Sequence, residues 1–112
     1  MSEDETTGAA RETESEPQAE ERHIPLPPAS FAFLTLSLRA QTELQLGLMH
    51  FGPESERPKP DLELARHSID LLGVLQEKTK GNLTLEEQRL LENSLTELRF
   101  RFIQALEESK KS

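Results

Sequence analysis

The chain has 112 residues, a formal net charge of −8, and no cysteine, tryptophan or tyrosine. This length allows one small domain, and the missing cysteines exclude disulfides, zinc–thiolate sites and thiol nucleophiles. The acidic start lacks the basic region and the apolar core of a secretory signal, and no apolar run approaches the roughly 20 residues of a membrane span. We therefore expect a cytoplasmic protein without a cofactor, a bound metal or a membrane partner.

The negative charge is concentrated in the first 29 residues. They carry eight acidic and two basic side chains, and eight minus two gives a net charge of −6, which leaves −2 for residues 30–112. Residues 1–21 are mostly Glu, Thr, Ser, Ala and Gly, which cannot bury enough apolar surface to offset the entropy of ordering. We predict a disordered acidic tail over residues 1–29, ending in a proline-rich strip, residues 23–28, that lies on the folded part.

Residues 30–109 are predicted to form an all-α, three-helix domain. Ser30 is a candidate N-cap for a first helix over residues 31–51, which Gly52-Pro53 ends. Its alternating leucines leave a strand possible, but its length and its many good helix formers favour a helix. Because its apolar residues point in almost every direction, we expect this helix to be buried on more than one side.

The second and third helices are predicted to form a hairpin, with helix one packed across it. The second helix runs from about Asp61 to Lys80, and its broad apolar face, which includes Leu64 and Leu71, suits contacts with two neighbours. A capping box at Thr84 begins the third helix. The apolar side chains of that helix recur at helical spacing: Leu91, Leu95, Leu98, Phe102, Ala105 and Leu106. The connection between these helices is so short that they must be antiparallel.

His67 is the side chain that a catalytic or metal site would use. Glu63 precedes it by one helical turn, and Asp70 follows it by one turn. No second ligand pair accompanies them, and no triad, P-loop, glycine-rich phosphate motif or pair of catalytic carboxylates can be assembled. The preferred interpretation is a boundary histidine with solvated acids nearby. We therefore expect a non-enzyme with no catalytic, cofactor-binding or metal residues.

Phe100 is the first candidate for an interaction surface. It lies opposite the apolar stripe of the third helix and between Arg99 and Arg101, a composition that is common in protein–protein contacts. The alternative is that helix one or the proline-rich strip covers it.

Lys78 and Lys80 are the second candidate. They concentrate positive charge in the turn Lys78–Asn82, where a phosphate, an acidic partner or DNA could bind, although an ordinary helix end has the same composition and is preferred. The arginines of the third helix alternate with glutamates, and the chain lacks the basic excess that nucleic-acid binding requires. A nucleic-acid or ribosome-associated factor is therefore possible but not favoured.

Several stretches of the helical part resemble a bacterial family of small uncharacterised proteins, domain of unknown function 1844. The resemblance covers about residues 29–105, and its most specific element is Lys78-Thr79-Lys80-Gly81-Asn82-Leu83-Thr84. The other matching stretches are residues 30–38, 46–47, 65–73, 87 and 91–102. The resemblance implies a compact helical domain after a variable tail, and it implies no activity and no catalytic residues.

A small core also favours self-association. Around 80 residues bury little surface, and small scaffolds often gain stability from a second chain. We predict a homodimer whose interface contains helix one and can include Phe100. The leading functional hypothesis is a non-enzymatic adaptor or regulatory module that binds another, unidentified protein.

Overall fold

Three α-helices and no strand make up the part of the chain that the computed structural model describes, residues 24–111. In chain order they are α1 (Phe31–Gln45), α2 (Leu62–Lys78) and α3 (Leu85–Lys111). A short 3-10 helix, Glu54–Glu56, lies between α1 and α2. The predicted all-α class is confirmed, and α1 packs against both helices of the α2–α3 hairpin. The predicted disorder of the acidic tail falls mostly on residues 1–23, outside the described residues.

The start of the described part, residues 24–30, has no regular secondary structure. Its side chains are exposed, including the apolar Ile24 and Leu26. The prediction that the proline-rich strip lies on the folded part is therefore wrong for the described residues of the strip, because neither apolar side chain finds a contact that buries it.

Each helix begins where the sequence predicts, and a side chain caps each of these starts. The Ser30 side chain accepts a hydrogen bond from the amide three residues later at 3.0 Å, and Asp61 accepts the equivalent bond at 3.1 Å. Before α3, Glu87 N–H donates to Thr84 Oγ1 at 3.1 Å, and Thr84 N–H donates to Glu87 Oε1 at 2.9 Å. These bonds satisfy amides that have no partner within their helix.

The end of α1 differs from the prediction. The helix ends at Gln45 rather than near residue 51, because Gly47 adopts a left-handed conformation with φ of +76°. Gly47 N–H donates to the carbonyl three residues earlier at 3.0 Å, and Leu48 N–H donates to the Glu43 carbonyl at 2.9 Å. This pair of bonds is a Schellman motif, which satisfies the last carbonyls of a helix.

The two ends of the loop of residues 46–60 lie next to each other. The N–H of Asp61 donates to the Gln45 carbonyl at 2.8 Å, so the beginning of α2 touches the end of α1. A Cβ atom added to Gly47 would lie 2.8 Å from the carbonyl oxygen of Pro58. A glycine is therefore required at position 47 for two reasons, the left-handed backbone conformation and the close approach of the loop.

The core lies between the three helices. Its buried apolar side chains come from α2, α3 and the residue after α1: Leu46, Ala65, Ile69, Leu72, Leu91, Leu95 and Leu98. The only buried residues within α1 itself are Thr35 and Thr42. Their hydroxyls donate to carbonyls four residues earlier in the same helix, at 3.0 and 2.8 Å, so neither donor is left unsatisfied.

Candidate interaction surface

Large apolar side chains lie on the outer side of α1 as well as on the side that packs on the hairpin, where Phe31 and Leu38 contact the core. Phe33, Leu36 and Leu44 are 42, 47 and 59% exposed. Together with Ala40 they are spaced three, four and four residues apart, which places them on one face of the helix. We name these four residues the α1 stripe. The expected burial of helix one on more than one side is therefore not found within the single chain.

The α1 stripe carries no charge, because both charged side chains of α1 are used elsewhere. Arg39 Nε donates to Glu43 Oε2 at 3.2 Å. Nη1 of the same arginine lies 3.5 Å from the hydroxyl oxygen of Ser94, which is fully buried on α3. The charged pair therefore lies along the α3 side of α1 and leaves the outer face uncharged.

A second apolar stripe runs along α2. Leu64, Leu71 and Val74 are 45, 47 and 53% exposed, and His67 is exposed between them. We name these four residues the α2 stripe. Its spacing of three, four and three residues is the spacing of a seam between packed helices. The sequence predicts that Leu64 and Leu71 belong to the apolar face that contacts neighbouring helices. They are only half buried, because α2 turns the face centred on Ile69 to the core.

The two stripes lie on helices that contact each other. Ser68 Oγ donates to Gln45 Oε1 at 2.7 Å. Leu64 and Leu71 lie one turn before and after this serine, whereas Leu44 lies about 100° around α1 from the glutamine. The stripes therefore lie on adjacent helices, with the exposed polar side chains of Ser37 and Gln41 between the α1 stripe and the contact with α2. The sequence alone does not distinguish the α1 stripe, because apolar residues occur on all sides of α1 and only the packing selects which ones are buried.

Phe100 faces solvent at 57% exposure, so neither α1 nor the described part of the proline-rich strip covers it. Arg99 and Arg101 lie about 100° to either side of it around the helix axis. Arg101 Nε donates to Glu97 Oε2 at 2.9 Å. Arg99 reaches towards α2, where its Nη2 would lie 3.5 Å from a Cβ at Gly73. The two arginines therefore extend away from Phe100 and from each other.

Lys78 and Lys80 are both exposed, but they do not form a basic cluster. The Nζ of Lys80 lies 3.8 Å from the Oε2 of Glu77. A small open pocket of about 170 Å³ beside the turn is lined by Lys80 and also by Glu92, whereas Lys78 does not line it. The turn thus presents mixed charge at the end of α2.

A wider open cleft of about 740 Å³ lies between the loop and the C-terminal part of α3. Two of the basic side chains that line it, Arg57 and Arg101, pair with Glu54 at 3.4 Å and with Glu97 at 2.9 Å. These pairings neutralise the two guanidinium groups, so they do not converge on a site for an anionic ligand.

The three residues that an enzyme would use, Glu63, His67 and Asp70, are all exposed on α2. Over residues 24–111, no group of three or more histidine or acidic side chains is placed to hold a metal ion. Over the same residues, no helix combines the length and the hydropathy needed to cross a membrane.

A family model described as "Domain of unknown function (DUF1844)" matches residues 28–104, which is more than half of the chain. The chain belongs to this family. No curated protein and no solved structure matches it. The matched region contains all of α1 and α2 and most of α3, so both stripes lie within the DUF1844 domain.

Proposed function

We propose that this DUF1844 protein is a non-enzymatic, cytoplasmic helical interaction module that self-associates through the outer face of α1. One observation carries the proposal: Phe33, Leu36 and Leu44 face water on the side of α1 opposite Thr35 and Thr42, its two buried residues. A surface helix ordinarily turns its apolar face to the core and its polar face to solvent. A second apolar face on the outer side is expected when a second protein covers it.

The non-enzymatic part of the proposal is supported by the setting of the titratable side chains. Catalytic groups depend on a partly dry cleft that perturbs their ionisation and positions a substrate. His67 and its acidic neighbours are instead exposed along a helix. The arginines of the open cleft are paired with glutamates. These features fit a protein whose function depends on its surface contacts.

The proposal is tested by measuring the molar mass by sedimentation, from low micromolar to about 100 µM protein. The expected mass is twice the 12.7 kDa of one chain. Leu44→Lys should shift the mass to one chain, because it places a charge in the apolar contact. Lysine also reduces the net charge of −8, so increased repulsion between acidic chains cannot explain the dissociation.

Phe100→Lys is the matched control, since Phe100 is 57% exposed and Leu44 is 59% exposed. It should leave the mass of two chains unchanged. A mass of one chain for the unaltered protein over the whole range would refute self-association. Dissociation by Phe100→Lys but not by Leu44→Lys would move the contact from α1 to α3.

A further inference from the structure

The α1 stripe alone is too small for a stable interface. Its three large side chains expose roughly 200 Å², if each presents about 150 Å² when fully exposed, the low end of the range for aromatic side chains. A standard protein–protein interface buries about 800 Å² on each partner. Self-association through α1 therefore requires a further surface next to it.

The α2 stripe supplies that surface. With Leu34, which is 44% exposed on α1, the two stripes present roughly 500 Å² on the same area scale. This area lies within the range of the largest apolar patches of typical monomers, about 300–600 Å². It is more than half of the roughly 800 Å² that one partner contributes to a standard interface.

The chemistry of this face fits a second copy of the same chain. A two-fold interface brings the same patch of both subunits together, so a fixed charge near the axis would face its own copy. The α1 stripe has no ionisable side chain, and the α2 stripe has only His67, with the exposed Asp70 and Lys78 flanking its C-terminal end at Val74. A partner recognised by its charge would need charged side chains on this face. The whole chain has a net charge of −8 and its first 29 residues have −6, so residues 30–112 have only −2. This low charge limits repulsion between the helical parts of two chains.

We infer that a second copy of this chain covers the α1 and α2 stripes together, so that two helices from each chain pack across one apolar interface. This inference rests on the proposed function and deepens it, because it makes α2 part of the contact between the two copies. The spacing of the α2 stripe, three, four and three residues, suits the packing of one helix against another.

The test compares two side chains of equal exposure. Val74 in the α2 stripe and Ile103, which lines the cleft between the loop and α3, are both β-branched and both 53% exposed. Val74→Lys should weaken dimer formation at least about tenfold in sedimentation equilibrium, as expected for a charge placed in a buried apolar contact. Ile103→Lys should change the dissociation constant by less than about twofold. Far-UV circular dichroism checks that both variants keep their helices.

The outcomes separate this inference from the proposed function. If Leu44→Lys dissociates the dimer and Val74→Lys does not, self-association through α1 stands and the α2 part is refuted. If the unaltered chain is a monomer, both are refuted. If Ile103→Lys weakens the dimer as strongly as Val74→Lys, the effect is not specific to the α2 stripe, and the inference also fails.

A second measurement avoids any loss of folding by the lysine variant. Because the chain has no cysteine, His67→Cys introduces the only thiol, within the α2 stripe. A short bismaleimide should link two chains efficiently at this position. Arg89→Cys, at an exposed position on α3, should give little linked dimer. Equal yields at the two positions would overturn the inference.

Discussion

Replacing Gly47 by alanine should destabilise the fold more than the same change at Gly81. Both glycines are left-handed, with φ of +76° and +83°, so both variants incur the cost of about 1 kcal/mol for a side chain in that region. Only Gly47 has a close backbone neighbour: its new Cβ would lie 2.8 Å from the Pro58 carbonyl oxygen, whereas the Cβ at Gly81 would meet no atom within 4 Å.

The steric contact at Gly47 must be relieved by moving the loop. That movement acts against the hydrogen bond between Asp61 N–H and the Gln45 carbonyl, which holds the loop closed at 2.8 Å. Forcing an extra methyl group into a packed site costs about 1–3 kcal/mol. We therefore expect losses of about 2–4 kcal/mol for Gly47→Ala and about 1 kcal/mol for Gly81→Ala in the free energy of unfolding.

Urea unfolding followed by far-UV circular dichroism measures both values, since the chain has no tryptophan or tyrosine for a fluorescence signal. All samples should have the same protein concentration, because association stabilises the folded state by mass action. Losses that agree within about 0.5 kcal/mol for the two variants would show that the Pro58 contact is unimportant.

Two further substitutions test the helices themselves. Gly73→Ala should raise the free energy of unfolding by about 0.5–1 kcal/mol, because alanine is the better helix former. The new Cβ would meet only the end of the Arg99 side chain, at 3.5 Å. A lower thermal midpoint for this variant would contradict the prediction. Thr84→Ala removes the acceptor of the Glu87 amide and should cost about 1 kcal/mol in urea unfolding. Thr84→Ser should retain most of that stability, and an equal loss for both variants would contradict the capping role.

The features that the sequence predicts correctly depend on neighbouring residues. Ser30, Asp61 and Thr84 begin helices because a short polar side chain satisfies an amide three residues later. The inward stripe of α3 is also predictable, because Leu91, Leu95 and Leu98 have mostly polar neighbours on the other faces. In both cases the deciding chemistry lies within a few turns of one helix.

The end of α1 and its orientation depend on distant residues. Gly47 lies in a run of apolar residues that resembles a continuing helix, and the approach of Pro58 becomes visible only in the folded chain. Similarly, the contact of Arg39 with Ser94 joins residues on different helices. Periodicity cannot choose between the two apolar sides of α1, because both sides have suitable side chains.

The orientation of α1 follows from the size and the hydrogen bonding of the side chains on its two sides. Thr35 and Thr42 are small and satisfy their own hydroxyls on the backbone of α1, so they bury against the hairpin without a distant polar partner. Turning the helix over would bury Phe33 and Leu44 instead, and would take Arg39 away from Ser94. The hairpin therefore covers the side of α1 that carries the two threonines, with Phe31 and Leu38 packed beside them on the core. Phe33, Leu36 and Leu44 stay exposed on the other side, which connects the packing inside the domain to its proposed interaction surface.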